Sequence, residues 1–247
     1  MSAYNSLAAS YDGLTTDIPY EDILNFLETV LHHAGKAPKT VLDLACGTGS
    51  MSLCLANRGY QVIGADLSEE MLTVAAQKTA HLGESMPFFV RQSMQRLRLP
   101  YPVDAVFCLL DSINYLTKPE DCKETFRRVF RSLTEDGVFL FDINTPVKLY
   151  GLDGQVFLDE NDESYCVWRV ECDEKERLCY YGIDLFQKRG TLWERSFEQH
   201  CEYIYTAEEL CTWLKEAGFS RVELFGDRAI APPKEEEQRI YFAAFKE

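Results

Sequence analysis

Basic side chains are scarce in this sequence. Lys and Arg number 25 against 40 Asp and Glu, leaving a formal charge of −15 over 247 residues. Bare nucleic acid and anionic membranes are bound through basic patches, so both are disfavoured as partners. No apolar run approaches the roughly 18 residues of a membrane span. No basic stretch followed by an apolar core opens the chain, so no secretory signal is expected. The nine cysteines include no C-x-x-C pair, and the four histidines form no ligand spacing with acids. Zinc, a redox dithiol and metal chemistry are therefore not expected. The thiols are expected to be reduced and mostly buried in a cytoplasmic protein. A chain of this length with 46% hydrophobic residues buries enough surface to fold without disulfides or a structural metal.

Apolar runs at 40–44, 61–65, 87–91, 103–108 and 138–143 alternate with helical patterns at 50–57, 69–80 and 120–133. This order predicts a parallel sheet covered on both faces. Before it, Ile23, Phe26, Leu27, Val30 and Leu31 recur at helical spacing, so 1–37 reads as an N-terminal helical cover. After Asn144 the style changes. Segments 164–173, 178–187 and 191–205 alternate with period two and are rich in aromatics, as in an antiparallel sheet with one buried face. In the third, Trp193, Phe197, Cys201 and Tyr203 share one face, and Glu194, Ser196, Glu198, His200 and Glu202 the other. Helical periodicity returns after Thr206, an N-cap with Glu209 in the capping-box position, and ends at Gly218. Strands are expected at 221–225 and 239–245. The chain thus divides into a cover (1–37), a core (38–146 with 204–247) and an insertion (147–203).

The most informative segment is 41–50, V-L-D-L-A-C-G-T-G-S, a buried strand running into a glycine turn and a helix. Glycines permit positive φ and close approach of a ligand, and the helix N-terminus offers unpaired N–H groups. Asp66 stands seventeen residues after Gly49 at the tip of the next strand, where an acid accepts hydrogen bonds from ribose hydroxyls. An adenosine-containing ligand follows. The dinucleotide fingerprint G-x-G-x-x-G is incomplete, because Ser52 stands at its third glycine. That weighs against a nicotinamide-dependent oxidoreductase. Asp43, inside the strand, is placed to fix the loop or to reach a ligand ammonium.

The D-L-A-C-G-T-G segment, with the following G-A-D-L-S-E-E-M-L, resembles motif I and its successor in class I S-adenosylmethionine-dependent methyltransferases. The similarity continues through R-Q-S-M-Q-R-L, D-A-V-F-C-L-L-D-S-I-N-Y-L and L-T-E-D-G-V-F-L-F-D-I-N, and resumes over 206–245. The opening Y-N-S-L-A-A-S-Y-D-G-L-T-T-D-I-P-Y is similar to a bacterial branch of that family whose substrates are often unassigned. The resemblance implies a Rossmann-like seven-stranded α/β sheet with helices on both faces and an inserted antiparallel β lobe. It implies S-adenosylmethionine as cofactor, with Ala45, Cys46, Gly47 and Gly49 approaching its methionine part and Asp43 its amino group. Asp66 would bind the ribose, Leu67 and Met71 would pack on adenine, and Gln92, Ser93 and Met94 would read the adenine amino group. Leu109 and Leu110 would lie beside the sulfonium, and Tyr11 and Tyr20 would belong to the cover.

Ligands of such sheets bind beyond the carboxyl ends of the strands, and 108–115 is one such end. Asp111, Ser112, Asn114 and Tyr115 cluster there. The family's DNA and glutamine N-methyltransferases carry an Asn/Asp-Pro-Pro-Tyr/Phe element at this position. Here L-D-S-I lacks the prolines, which argues against a planar amide or base nitrogen as acceptor. Candidate catalytic residues are Asp111, Tyr115 and His200. Asp111 also fits a helix cap or loop brace, Tyr115 core packing, and His200 an exposed position on the polar strand face. The insertion is expected to be a substrate lid, with Trp168, Tyr180, Tyr181, Trp193 and Tyr203 lining an acceptor pocket, its own core or a dimer surface. The expected partner is a small polar methyl acceptor, an amine among the candidates. The chain itself is expected as monomer or homodimer. A non-catalytic binding protein that keeps the cofactor pocket is the remaining alternative.

Overall fold

The computed structural model describes residues 18–247. Tyr11 lies outside the described residues. Helix α1 (Tyr20–His33) turns Ile23, Leu24, Phe26, Leu27, Val30 and Leu31 inward, with Glu21 and Asp22 at its positive end. Strands β1 (Thr40–Leu44), β2 (Gln61–Asp66), β3 (Phe88–Arg91), β4 (Val103–Cys108), β5 (Leu133–Asn144), β10 (Arg221–Phe225) and β11 (Arg239–Phe245) form one sheet in the order β10-β11-β5-β4-β1-β2-β3. β11 runs antiparallel to both neighbours, and the other pairs are parallel. Both faces are buried, so the central strands read as continuous apolar runs. Leu42, Leu44, Val106, Phe139 and Phe141 face one layer, and Val41, Ala105, Phe107, Val138 and Leu140 face the other. Helix α2 (Ser50–Asn57) packs on the α1 side of the sheet, and α4 (Pro119–Ser132) and α6 (Ala207–Ala217) on the opposite one. Helix α3 (Glu69–Thr79) follows β2. The Thr206–Glu209 capping box is formed, and Gly218 closes α6 in a left-handed conformation.

The inserted lobe is a four-stranded antiparallel sheet of β6 (Val156–Glu160), β7 (Ser164–Asp173), β8 (Leu178–Arg189) and β9 (Leu192–Tyr203). Sequence periodicity misses β6, because all its residues are exposed and no apolar face repeats. The short α5 (Pro146–Gly151), capped by Thr145, is also unanticipated. The two faces of β9 are inverted relative to the usual rule. Trp193 and Phe197 are 51% and 55% exposed, whereas His200 and Glu202 are 2% and 3% exposed. The polar face looks inward because it meets polar groups at the carboxyl ends of β4 and β5, not an apolar core.

Candidate functional site

The sheet order reverses at β1, which has β2 on one side and β4 on the other, so a crevice opens at the carboxyl ends of β1 and β4. A cavity of about 880 Å³ occupies it. Its floor is the glycine turn. Gly47 has φ +53 and open space where a Cβ would stand, so a ligand can approach its backbone closely. Gly49 has φ +75, and a Cβ there would sit 2.8 Å from Ala75 Cβ; Gly49 closes α2 onto α3 and does not line the cavity. Lys78 of α3 donates to Ser50 Oγ at 2.8 Å and Thr48 Oγ1 at 3.1 Å, tying the first turn of α2 to α3.

Two acids frame this turn. Asp43 is buried and accepts from Ser52 Oγ at 2.5 Å. Burial pushes its carboxyl up to about 7; the Ser52 hydroxyl opposes this and the Asp66 charge adds to it. Ser52, at the place of the third fingerprint glycine, is thus committed to Asp43. Asp66 accepts from Gly47 N at 2.9 Å and from Ser68 N at 2.8 Å. Its pKa is raised by burial against these two N–H groups. Each Asp66 oxygen retains a further lone pair for a ligand hydroxyl.

The structure brings Tyr20, Asp43, Ala45, Cys46, Gly47, Asp66, Leu67, Met71, Gln92, Ser93, Met94, Leu109, Leu110, Tyr115 and His200 around the one cavity. Leu67 is exposed and Met71 buried, giving an apolar slot beside Asp66. The Gln92 amide is occupied by the backbone of Arg98, accepting from its N at 2.7 Å and donating to its O at 3.0 Å. These residues fit S-adenosylmethionine: open backbone at Gly47, acids for a cationic ligand with a ribose, and an apolar slot for a base.

At the other end, Tyr115 Oη lies 3.3 Å from His200 Nδ1, and His200 Nε2 lies 3.1 Å from Glu198 Oε2. Because Glu198 accepts, the consistent neutral tautomer carries its proton on Nε2 and leaves Nδ1 to accept from Tyr115. Burial lowers the imidazole pKa, and Glu198 opposes that shift only in part. His200 is therefore not the exposed residue its strand face suggests. Glu198 was legible only as a same-face neighbour, two residues away on a strand.

Asp111 does not line the cavity. Its carboxylate is paired with Arg239 at 2.7 Å, so the structure makes it a brace. Trp168, Tyr180, Tyr181, Trp193 and Tyr203 do not line the cavity either. Trp168 and Tyr181 pack against the lobe's own core, and Tyr203 packs on Tyr205 at 4.6 Å. Sequence reading also missed Asp142, Asn144 and Arg239. The first two are visible only as polar residues ending an apolar strand, F-D-I-N. No group of three or more metal-ligating side chains occurs, and no helix is long and apolar enough to cross a membrane, among the described residues.

Comparison with known proteins agrees with this geometry. Residues 41–137 match the methyltransferase domain family. A putative methyltransferase, YqeM of Bacillus subtilis, is 33% identical, with 98% of this chain and 97% of that protein covered. The crystal structure of an S-adenosylmethionine-dependent methyltransferase from Clostridium acetobutylicum superposes with a TM-score of 0.88 at 29% identity, covering 98% of each chain. The S-adenosylmethionine-bound amino pentose methyltransferase CalS10 of Micromonospora echinaspora shares the fold, with a TM-score of 0.78 at 19% identity over 100% of this chain and 99% of that one. With this likeness along nearly its whole length, and a cavity whose lining fits the cofactor, the chain belongs to the S-adenosylmethionine-dependent methyltransferases.

Proposed function

We propose that the chain methylates an amine nitrogen of a small molecule, with Tyr115, His200 and Glu198 removing the proton. The observation that carries this reading is a buried imidazole, kept neutral, between a tyrosine hydroxyl and a carboxylate at the wall of the cofactor cavity. Bound S-adenosylmethionine supplies an electrophilic methyl group on a sulfonium. An ammonium has no lone pair, so it must lose a proton before it can react. Tyr115 Oη takes it while passing its own to His200 Nδ1, and Glu198 stabilises the resulting imidazolium. As the nitrogen–carbon bond forms, the carbon–sulfur bond breaks, and its electron pair leaves on the neutral thioether. Leu109 and Leu110 exclude water beside the reacting centre, and Asp43 and Asp66 orient the donor from its far end. The inserted lobe acts as the acceptor lid, since β9 carries His200 and Glu198. The amino pentose substrate class named for CalS10 supports an amine acceptor, as does the absence of the Pro-Pro element after β4.

The test is calorimetry with S-adenosylmethionine, S-adenosylhomocysteine and NAD, followed by transfer of labelled methyl to glycine, sarcosine, glucosamine and putrescine. Binding of the first two without NAD, and label in an amine, is the expected result. Cofactor binding with label only in hydroxyl or carboxylate compounds overturns the amine assignment. Cofactor binding without transfer to any class supports the non-catalytic reading.

A further inference from the structure

The turn after β4 has an improbable backbone. Leu110 and Asp111 are consecutive non-glycine residues with φ of 57° and 54°. Non-glycine residues in this region are strained and persist only where their surroundings enforce them. Here the enforcement is Asp142 of β5. It accepts from Leu110 N at 2.7 Å with one oxygen and from Asp111 N at 3.0 Å with the other. Asp142 is 1% exposed and is itself bonded by the Arg239 guanidinium from β11. The same guanidinium holds Asp111 Oδ1 at 2.7 Å and Asn144 Oδ1 at 3.0 Å. Asn144 connects onward. Its backbone is bonded on both sides by the buried Asn114 side chain, at 3.1 and 3.2 Å, and Asn114 also donates to Tyr203 O at 3.0 Å. Tyr203 lies three residues beyond His200 on β9. One guanidinium therefore sits at the joint between the turn beside the methyl donor and the strand that carries the candidate base.

We propose that Arg239 is a positioning residue for methyl transfer: through Asp142, Asp111 and Asn144 it holds the left-handed turn at 110–111 in register with the His200 strand. Its catalytic consequence rests on the methyl-transfer reading of the site; its structural consequence does not. The planar fork matters, because three acceptors on two elements are reached at once. Lysine in its place keeps the charge but cannot span them. The turn then loses its anchor, and the donor shifts relative to Tyr115 and His200. Misplacement by about 1 Å costs on the order of 100-fold in rate.

The experiment compares Arg239→Lys with the wild-type full chain bound to S-adenosylhomocysteine. Amide hydrogen exchange at Leu110 and Asp111 is expected to accelerate at least about tenfold, with the 40–66 region unchanged. With an amine that the wild type methylates, kcat is expected to fall about 10- to 100-fold, with acceptor KM and S-adenosylmethionine Kd within about threefold. Unchanged exchange at both amides overturns the assignment. So does a turnover loss that appears only as raised KM. Should Arg239→Lys not fold, Asp111→Asn removes only the outer ion pair; it is expected to loosen the same two amides in the same direction, and unaltered exchange there overturns the assignment as well. Because exchange needs no acceptor, failure to methylate any amine counts against the methyl-transfer reading alone.

Discussion

Cofactor affinity is expected to fall in acid because Asp43 takes up a proton. The Asp43 carboxyl is 3% exposed, and burial raises it to about 7, so close to half of the free protein holds a proton there at neutrality. S-adenosylmethionine carries a sulfonium and, below its α-amino pKa of about 7.7–8.0, an ammonium, so it binds the carboxylate form. If only that form binds, the dissociation constant rises about fivefold from pH 7 to pH 6, approaching tenfold per unit below that. Calorimetry between pH 5.5 and 7.0, in two buffers of different ionisation enthalpy, reads both the affinity and the proton. About half a proton should be released on binding at pH 7 and nearly a full one at pH 6. Asp43→Asn keeps the volume and an acceptor for Ser52 and should flatten both dependences. Flat affinity in the wild type, or an equal slope in the Asn variant, refutes the linkage of Asp43 to the cofactor.

Asp66→Ala removes the partner of Gly47 N and Ser68 N and the proposed ribose acceptor, so cofactor binding should weaken by about 1–3 kcal/mol in calorimetry; unchanged affinity with an intact fold contradicts the ribose role. His200→Gln should lower kcat by about 10²–10⁴ with little change in cofactor Kd, and the acid limb of the wild-type rate profile should lie below the ordinary imidazole value, as the lowered pKa requires. Gly49→Ala forces a Cβ to within 2.8 Å of Ala75 at positive φ and should cost about 1–3 kcal/mol in thermal unfolding. The buried Glu202 is raised to about 8 by burial and by Asp111, against an unfolded value of about 4.3. Its folded form holds a proton the unfolded chain has lost, so stability is fully present below about pH 4.3 and falls as pH rises to about 8. Glu202→Gln should reduce that fall in a melting-temperature series, and an unaltered series counts against it.

The cofactor half of the site was legible because its chemistry is local. A strand, two glycines and an acid at the next strand tip lie within about thirty residues, and their spacing fixes backbone geometry. The acceptor half was not. The alternation of β9 was read correctly, but alternation tells which residues share a face and not which face is buried. His200 and Glu202 are buried against polar partners, Tyr115 in the turn after β4 and Asn144 at the end of β5, which no periodicity reports. Asp111 looked like a base because it follows β4; only the fold reveals Arg239, 128 residues away, holding its carboxylate.

What the sequence determined by itself is the alternating α/β core, the antiparallel character of the insertion and the glycine–acid cofactor turn, because each is written in short-range periodicity and turn chemistry. What only the tertiary structure decided is the wiring at the carboxyl ends of the strands: His200 between Tyr115 and Glu198, and Arg239 spanning Asp142, Asp111 and Asn144. Those partners come from separate strands and turns brought together by the sheet order. Long-range hydrogen bonds between buried polar groups leave no periodic trace along a chain.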